Sequence, residues 1–141
     1  MTTKLDDRQS PVIAVKNSNT SGALVGTVVD ARLAGRCRFV FTFGSNAGGA
    51  SINASSIAIW QAATSGGTFS AIAGAYFAAA SSGVISDNVA VLDTVVNPSY
   101  PWLEISGAIA NSSIYISAVA ERYNGNALLP PTTGAQQVVT V

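Results

Sequence analysis

The chain has 141 residues, seven Lys and Arg against seven Asp and Glu, no histidine, one cysteine and one methionine. That length supports one hydrophobic core and excludes a second domain. Only 10% of residues are charged, where about a quarter is usual, and a neutral chain with so few scattered cations is a poor polyanion binder, so no nucleic-acid partner is expected.

Ala, Ser and Gly together supply 53 residues, 23 of them Ala. A near-zero net charge on such a chain favours association and suits a subunit of an assembly. No apolar run approaches the roughly 18 residues of a membrane span, so no membrane partner is expected. Met1 to Ser10 is polar and charged and does not read as a secretory signal. The β-branched, apolar composition argues against disorder.

Three zones follow one another. Residues 1–21 read as a polar N-terminal arm carrying Lys4, Asp6, Asp7, Arg8 and Lys16, with one short strand at Val12 to Val15. Residues 22–123 read as the body. Residues 124–141 read as a C-terminal tail, extended through Pro130-Pro131 and ending in a strand, Gln136 to Val141, that suits a sheet edge.

Within the body, Leu24 to Ala31 is rich in Val and Thr. Arg36 to Phe43 alternates, with Cys37, Phe39, Phe41 and Phe43 on one face and Arg36, Arg38, Val40 and Thr42 on the other. Ser55 to Ala62 and Thr68 to Ile72 flank Gly66-Gly67 as a hairpin. Val84-Ile85 and Val89 to Val96 are strands split by a Ser86-Asp87-Asn88 turn. Trp102 to Ser106 turns Leu103 and Ile105 inward, and Ser112 to Glu121 does the same with Ile114, Ile116, Ala118 and Ala120. The segment Ala71 to Ala80 competes as a helix, because alanine favours helix, but Gly74 interrupts it.

Seven to nine short strands separated by Gly, Ser, Asn and Pro clusters predict an all-β fold: a sandwich, jelly roll or small barrel. The expected core holds Phe39, Phe41, Ile57, Ile59, Leu103, Ile105, Ile114 and Ile116.

Candidate chemistry is sparse. Without histidine, Ser-His-Asp and Cys-His nucleophiles and the usual zinc and copper sites are impossible. Cys37 shares a face with three phenylalanines and reads as a small core hydrophobe. Asp87 and Asp93 make a poor glycosidase pair, since Asp87 sits in a turn that uses Asp to cap its own backbone. No Walker loop or GxGxxG occurs, so no cofactor or metal is expected, and no enzymatic activity.

The residues left for partner contact are Lys4, Asp6, Asp7 and Arg8 in the arm, Arg36 and Arg38 on the outward face of one strand, and Tyr100 and Trp102 around Pro98-Ser99-Tyr100-Pro101. Arg36 and Arg38 read either as a solvated face that protects an edge or as a contact to a partner's carboxylates. Tyr100 and Trp102 read either as core or as an interface anchor.

Several segments resemble tailed-phage virion proteins. The hairpin Trp60 to Ile72, with Thr64-Ser65-Gly66-Gly67-Thr68-Phe69-Ser70-Ala71-Ile72, is similar to one recurring in their small β proteins. So are Val28-Val29-Asp30-Ala31-Arg32 followed by Cys37-Arg38-Phe39-Val40-Phe41, and Trp102-Leu103-Glu104-Ile105-Ser106-Gly107. With the length, the absent histidine and the neutral Ala/Ser-rich body, the chain most resembles the capsid cement (decoration) proteins of tailed bacteriophages.

That resemblance implies a jelly-roll-like β-sandwich on the outer surface of a virion capsid built from an HK97-like major capsid protein. It also implies small oligomers that tie neighbouring capsomers together. A homodimer is the favoured oligomer, because an isologous contact joins two equivalent seams, with a trimer as the alternative. A carbohydrate-binding β-sandwich for host attachment, or a tail or neck component of the virion, are the competing readings.

Overall fold

The computed structural model describes residues 10–52, 56–77, 86–124 and 135–140, with backbone alone at 17–21, 25 and 135–140. These residues are all-β, as expected. Eight strands follow in chain order: β1 (Val12–Val25), β2 (Val29–Asp30), β3 (Arg36–Phe43), β4 (Ile57–Ala62), β5 (Ser70–Tyr76), β6 (Val89–Val95), β7 (Trp102–Tyr123) and β8 (Ala135–Thr140). They form one sheet in the order β5-β4-β7-β3-β6-β8, with β1 and β2 also paired to β7.

The 22-residue β7 organises everything else. One edge pairs antiparallel with β1, from Val12 opposite Ala120 to Val25 opposite Ser106, and then with β2. The other edge pairs with β4 along its first part and with β3 along its last. So β7 belongs to two half-sheets, β5-β4 and β3-β6-β8, and its bend lets them face one another.

The bend has a local cause. Thr20 opposes Ile114 but Gly22 opposes Ile109, so β7 carries extra residues there. Asn111 among them is left-handed (φ 69°), as is Gly22 (φ 82°) on the facing strand. Both types tolerate that region, and the twist of a bulge turns the ribbon. Gly107, just before the corner, lies flat against β4: a Cβ there would stand 2.6 Å from Ile57 Cα.

The sheet curls until it nearly closes around one core. Cys37, Phe39, Phe41 and Phe43 of β3, Ile57 and Ile59 of β4, and Leu103, Ile105, Ile114 and Ile116 of β7 are all buried in it. Phe41 meets Phe77, which follows β5, edge to face at 5.0 Å between centroids, and this contact joins the two half-sheets.

Two expectations change. Residues 12–21 belong to β1, with Ala14 and Val15 in the core, so the boundary expected at 21/22 falls inside a strand. The polar run Asn17 to Ser21 hid this, because β1 draws its pairing from β7. The two strands expected at 102–106 and 112–121 are one. Of the two readings of Ala71 to Ala80, the helical competitor does not form over its described part: Ala71 to Tyr76 is strand, as the pairing of β5 with β4 outweighs alanine's preference. The end of that helical candidate, Ala78 to Ala80, and the Val84-Ile85 strand lie outside the described residues. The tail strand does join a sheet edge: β8 runs parallel to β6, with Val138 opposite Val91.

Candidate interaction surface

The strand β2 is two residues long and lies against Leu103 and Trp102 at the start of β7. From it the chain turns through Ala31 to Gly35 into β3, which pairs with the end of β7. The turn is fastened to both ends of that strand. Ala31 N–H donates to Pro101 O at 3.0 Å, and Gly35 N–H donates to Tyr123 O at 3.1 Å.

Asp30 shapes the turn. Its Oδ1 accepts from the Arg32 backbone N–H at 3.1 Å, the two-residue reach by which Asp stabilises turns. The same carboxylate takes the Arg32 guanidinium side-on, with Nε to Oδ1 at 2.9 Å and Nη2 to Oδ2 at 2.7 Å. So held, Arg32 lies over the Trp102 ring, 4.8 Å from its centroid. Arg122 completes the arrangement: Nη1 donates to Asp30 O and Nη2 to Ser10 O, both at 2.8 Å.

Asp30, Arg32, Leu33 and Arg122 line a depression of about 480 Å³. Two guanidiniums there face one carboxylate. The hydrogen bonds from Arg32, aided by the nearby charge of Arg122, hold the Asp30 carboxyl below its usual range, although burial opposes them. Leu33, at the tip of the turn, is 83% exposed, and Tyr100, two residues before Trp102, is 44% exposed.

The expected partner residues divide. Trp102 is half-buried under Arg32 and Tyr100 is exposed, so both sit at the surface end of β7. A sugar stacking on Trp102 finds one ring face already taken. Arg36 and Arg38 do not form an outward patch. Arg38 is buried, and both reach Asp93 across the β3–β6 pair, Arg36 Nε to Oδ1 at 3.1 Å and Arg38 Nη2 to Oδ2 at 3.5 Å. The carboxylate assigned to a partner belongs to the chain itself. Tyr123 Oη also donates to Asp93 Oδ2, at 2.6 Å. Lys4, Asp6, Asp7 and Arg8 lie outside the described residues.

Cys37 is fully buried and its thiol is pushed up to about 12 by burial, which fits its reading as a core residue. Asp87 stands in a turn with φ 51°, before β6, whereas Asp93 lies near that strand's far end. The stretch from Val89 to Asp93 alone spans about 13 Å of extended strand, wider than a glycosidase pair. Among the described residues no group of three or more His, Cys, Asp or Glu is placed to hold a metal ion.

The residues missed from sequence are Asp30, Leu33 and Arg122, and Arg32 as a contact residue. A signal for Asp30, Arg32 and Leu33 was present: a large apolar residue after Asp-Ala-Arg, in a stretch that ends at Gly35, is unusual for a turn. Arg122 carried none, because its role depends on β7 bringing it back to β2. Protein-family models, curated proteins and solved structures contain no match to the chain.

Proposed function

We propose that the protein is a structural capsid cement (decoration) protein. It binds the outer surface of a tailed-phage capsid of HK97-like major capsid protein and ties neighbouring capsomers together. The observation that supports this reading most is the surface at the closure of β7. There an exposed Leu33 and an Arg32 stacked on Trp102 are carried by a turn fastened at both ends, and an exposed Tyr100 precedes Trp102 by two residues. Arg, Trp and Tyr are the residue types that dominate protein-interface energetics, and a rigid turn loses little freedom on binding. The low charge of the chain fits packing against a protein lattice, since few charges must be desolvated.

A domain that binds the assembled lattice and not its separate subunits stabilises the lattice by mass action. The jelly-roll connectivity, the location on the virion surface and self-association as a homodimer belong to this same proposal. The test is to strip the chain from virions and add purified protein back to the capsids. Co-sedimentation and a higher temperature of capsid disruption are expected. Protein that ignores capsids and binds a glycan array instead would replace this reading with a host-attachment module.

A further inference from the structure

We infer that the depression between Asp30, Arg32, Leu33 and Arg122 takes an extended protein segment carrying an Asp or Glu beside a large apolar side chain. This rests on the reading of that surface as protein-binding, and it names the chemistry of the partner.

The charge balance points to a carboxylate. Arg32 is spent on Asp30 in a two-point fork. Among the described residues Arg122 forms no ion pair, and its two side-chain hydrogen bonds there go to backbone carbonyls. Each Nη of a guanidinium has two N–H groups, so one on each is left after those bonds. A guanidinium held by two carbonyls is pre-oriented, and its planar fork matches the oxygens of a carboxylate or a phosphate.

The apolar half of the ligand comes from Leu33. At 83% exposure it gains most of its burial from whatever binds. A phosphate or a sugar would leave it in water. A protein segment with an acidic and an apolar side chain close together satisfies both groups at once. The polyanion class is disfavoured besides, because the chain as a whole is neutral.

The experiment uses the full chain and an array of fluorescent eight-residue peptides. Each has Glu-Leu or Asp-Phe at its centre and is paired with its Gln or Asn counterpart. Acidic peptides should bind at least about tenfold tighter than their amides at low salt, and the gap should shrink as salt screens the pair. Leu33→Asp should abolish the preference with no change in melting temperature, since that side chain packs against little in the free protein. Arg122→Lys should reduce the preference, because a point charge replaces the fork.

Equal binding of acid and amide, indifference to Leu33→Asp, or no binding up to about 1 mM overturns the inference. So does binding that appears only after residues 1–9 are removed, which would make the chain's own Asp6 and Asp7 the occupant. Capsid attachment lost in Leu33→Asp, with no acidic preference among peptides, sinks this inference and leaves the cement reading standing. Acidic preference without capsid attachment does the reverse.

Discussion

The phenol of Tyr123 donates to Asp93 Oδ2 at 2.6 Å, joining the last residue of β7 to the middle strand of the β3-β6-β8 half-sheet. Asp93 is 1% exposed and also receives Arg36 and Arg38. Such a cluster is costly to break from one side, because the groups left behind stay buried. Tyr123→Phe should cost about 1 to 3 kcal/mol, the penalty for an acceptor that loses a donor. Asp93→Ala should cost more, about 3 to 5 kcal/mol, since it leaves buried guanidinium charge. Urea unfolding of both variants measures this, and a smaller loss for Asp93→Ala than for Tyr123→Phe would contradict it.

Alkaline pH should weaken the fold in two stages. Burial, then the bond to Asp93, pushes the Tyr123 phenol up to about 12, and burial pushes the Cys37 thiol up to about 12. In the unfolded chain the thiol ionises near about 8.5 and the phenol near about 10. Between those values and about 12 the folded state holds protons that the unfolded state has released, so stability falls as pH rises. Below about 8.5 the contribution is complete. Urea midpoints from pH 7 to 11.5 should decline, less steeply from about 8.5 in Cys37→Ala and less steeply above about 10 in Tyr123→Phe. Identical slopes in wild type and variants would show that neither group keeps its proton in the fold.

Phe41 stacks on Phe43 at 6.2 Å and meets Phe77 edge-on at 5.0 Å, and its ring is fully buried. Truncation to Ala opens a cavity between the half-sheets and should cost about 3 to 5 kcal/mol. A thermal melt within a degree of wild type would remove Phe41 from that role.

Gly107→Ala should destabilise by overpacking and not by lost burial. The added methyl meets the backbone of Ser56 and Ile57, which cannot turn aside as a side chain can. About 1 to 3 kcal/mol is expected, with β4 amides near Ile57 exchanging faster while β3 and β6 amides keep their protection. Uniform loss of protection would place the strain elsewhere.

Much of the fold was legible because its strands carry their own signal. Arg36 to Phe43 alternates without interruption, and β3 has those bounds. The hairpin around Gly66-Gly67 and the strand from Val89 were equally local. The corner of β7 was not. Gly107 to Asn111 reads as a loop, since a small residue, a left-handed residue and extra unpaired positions mark a turn and a bent strand alike. Arg38 shows a different limit. Alternation placed it on the correct face of β3 but could not show that Asp93, 55 residues away, shares that face. The depression was missed for the same reason: Arg122 and Asp30 meet through a hydrogen bond across 92 residues of chain.

The pairing of Val12 with Ala120 also bears on how the protein is made. A ribosome releases the residues of β1 early and those of β7 late, and at about 5 to 20 residues per second the interval is roughly 5 to 20 s. Through that time Ala14 and Val15 have no strand to lie against. Closure of so long a loop is slow in any case, and here it cannot begin until most of the chain has emerged. The polar run from Asn17 to Ser21, which obscured β1 in the sequence, is then an asset: it keeps a waiting strand soluble until its partner arrives.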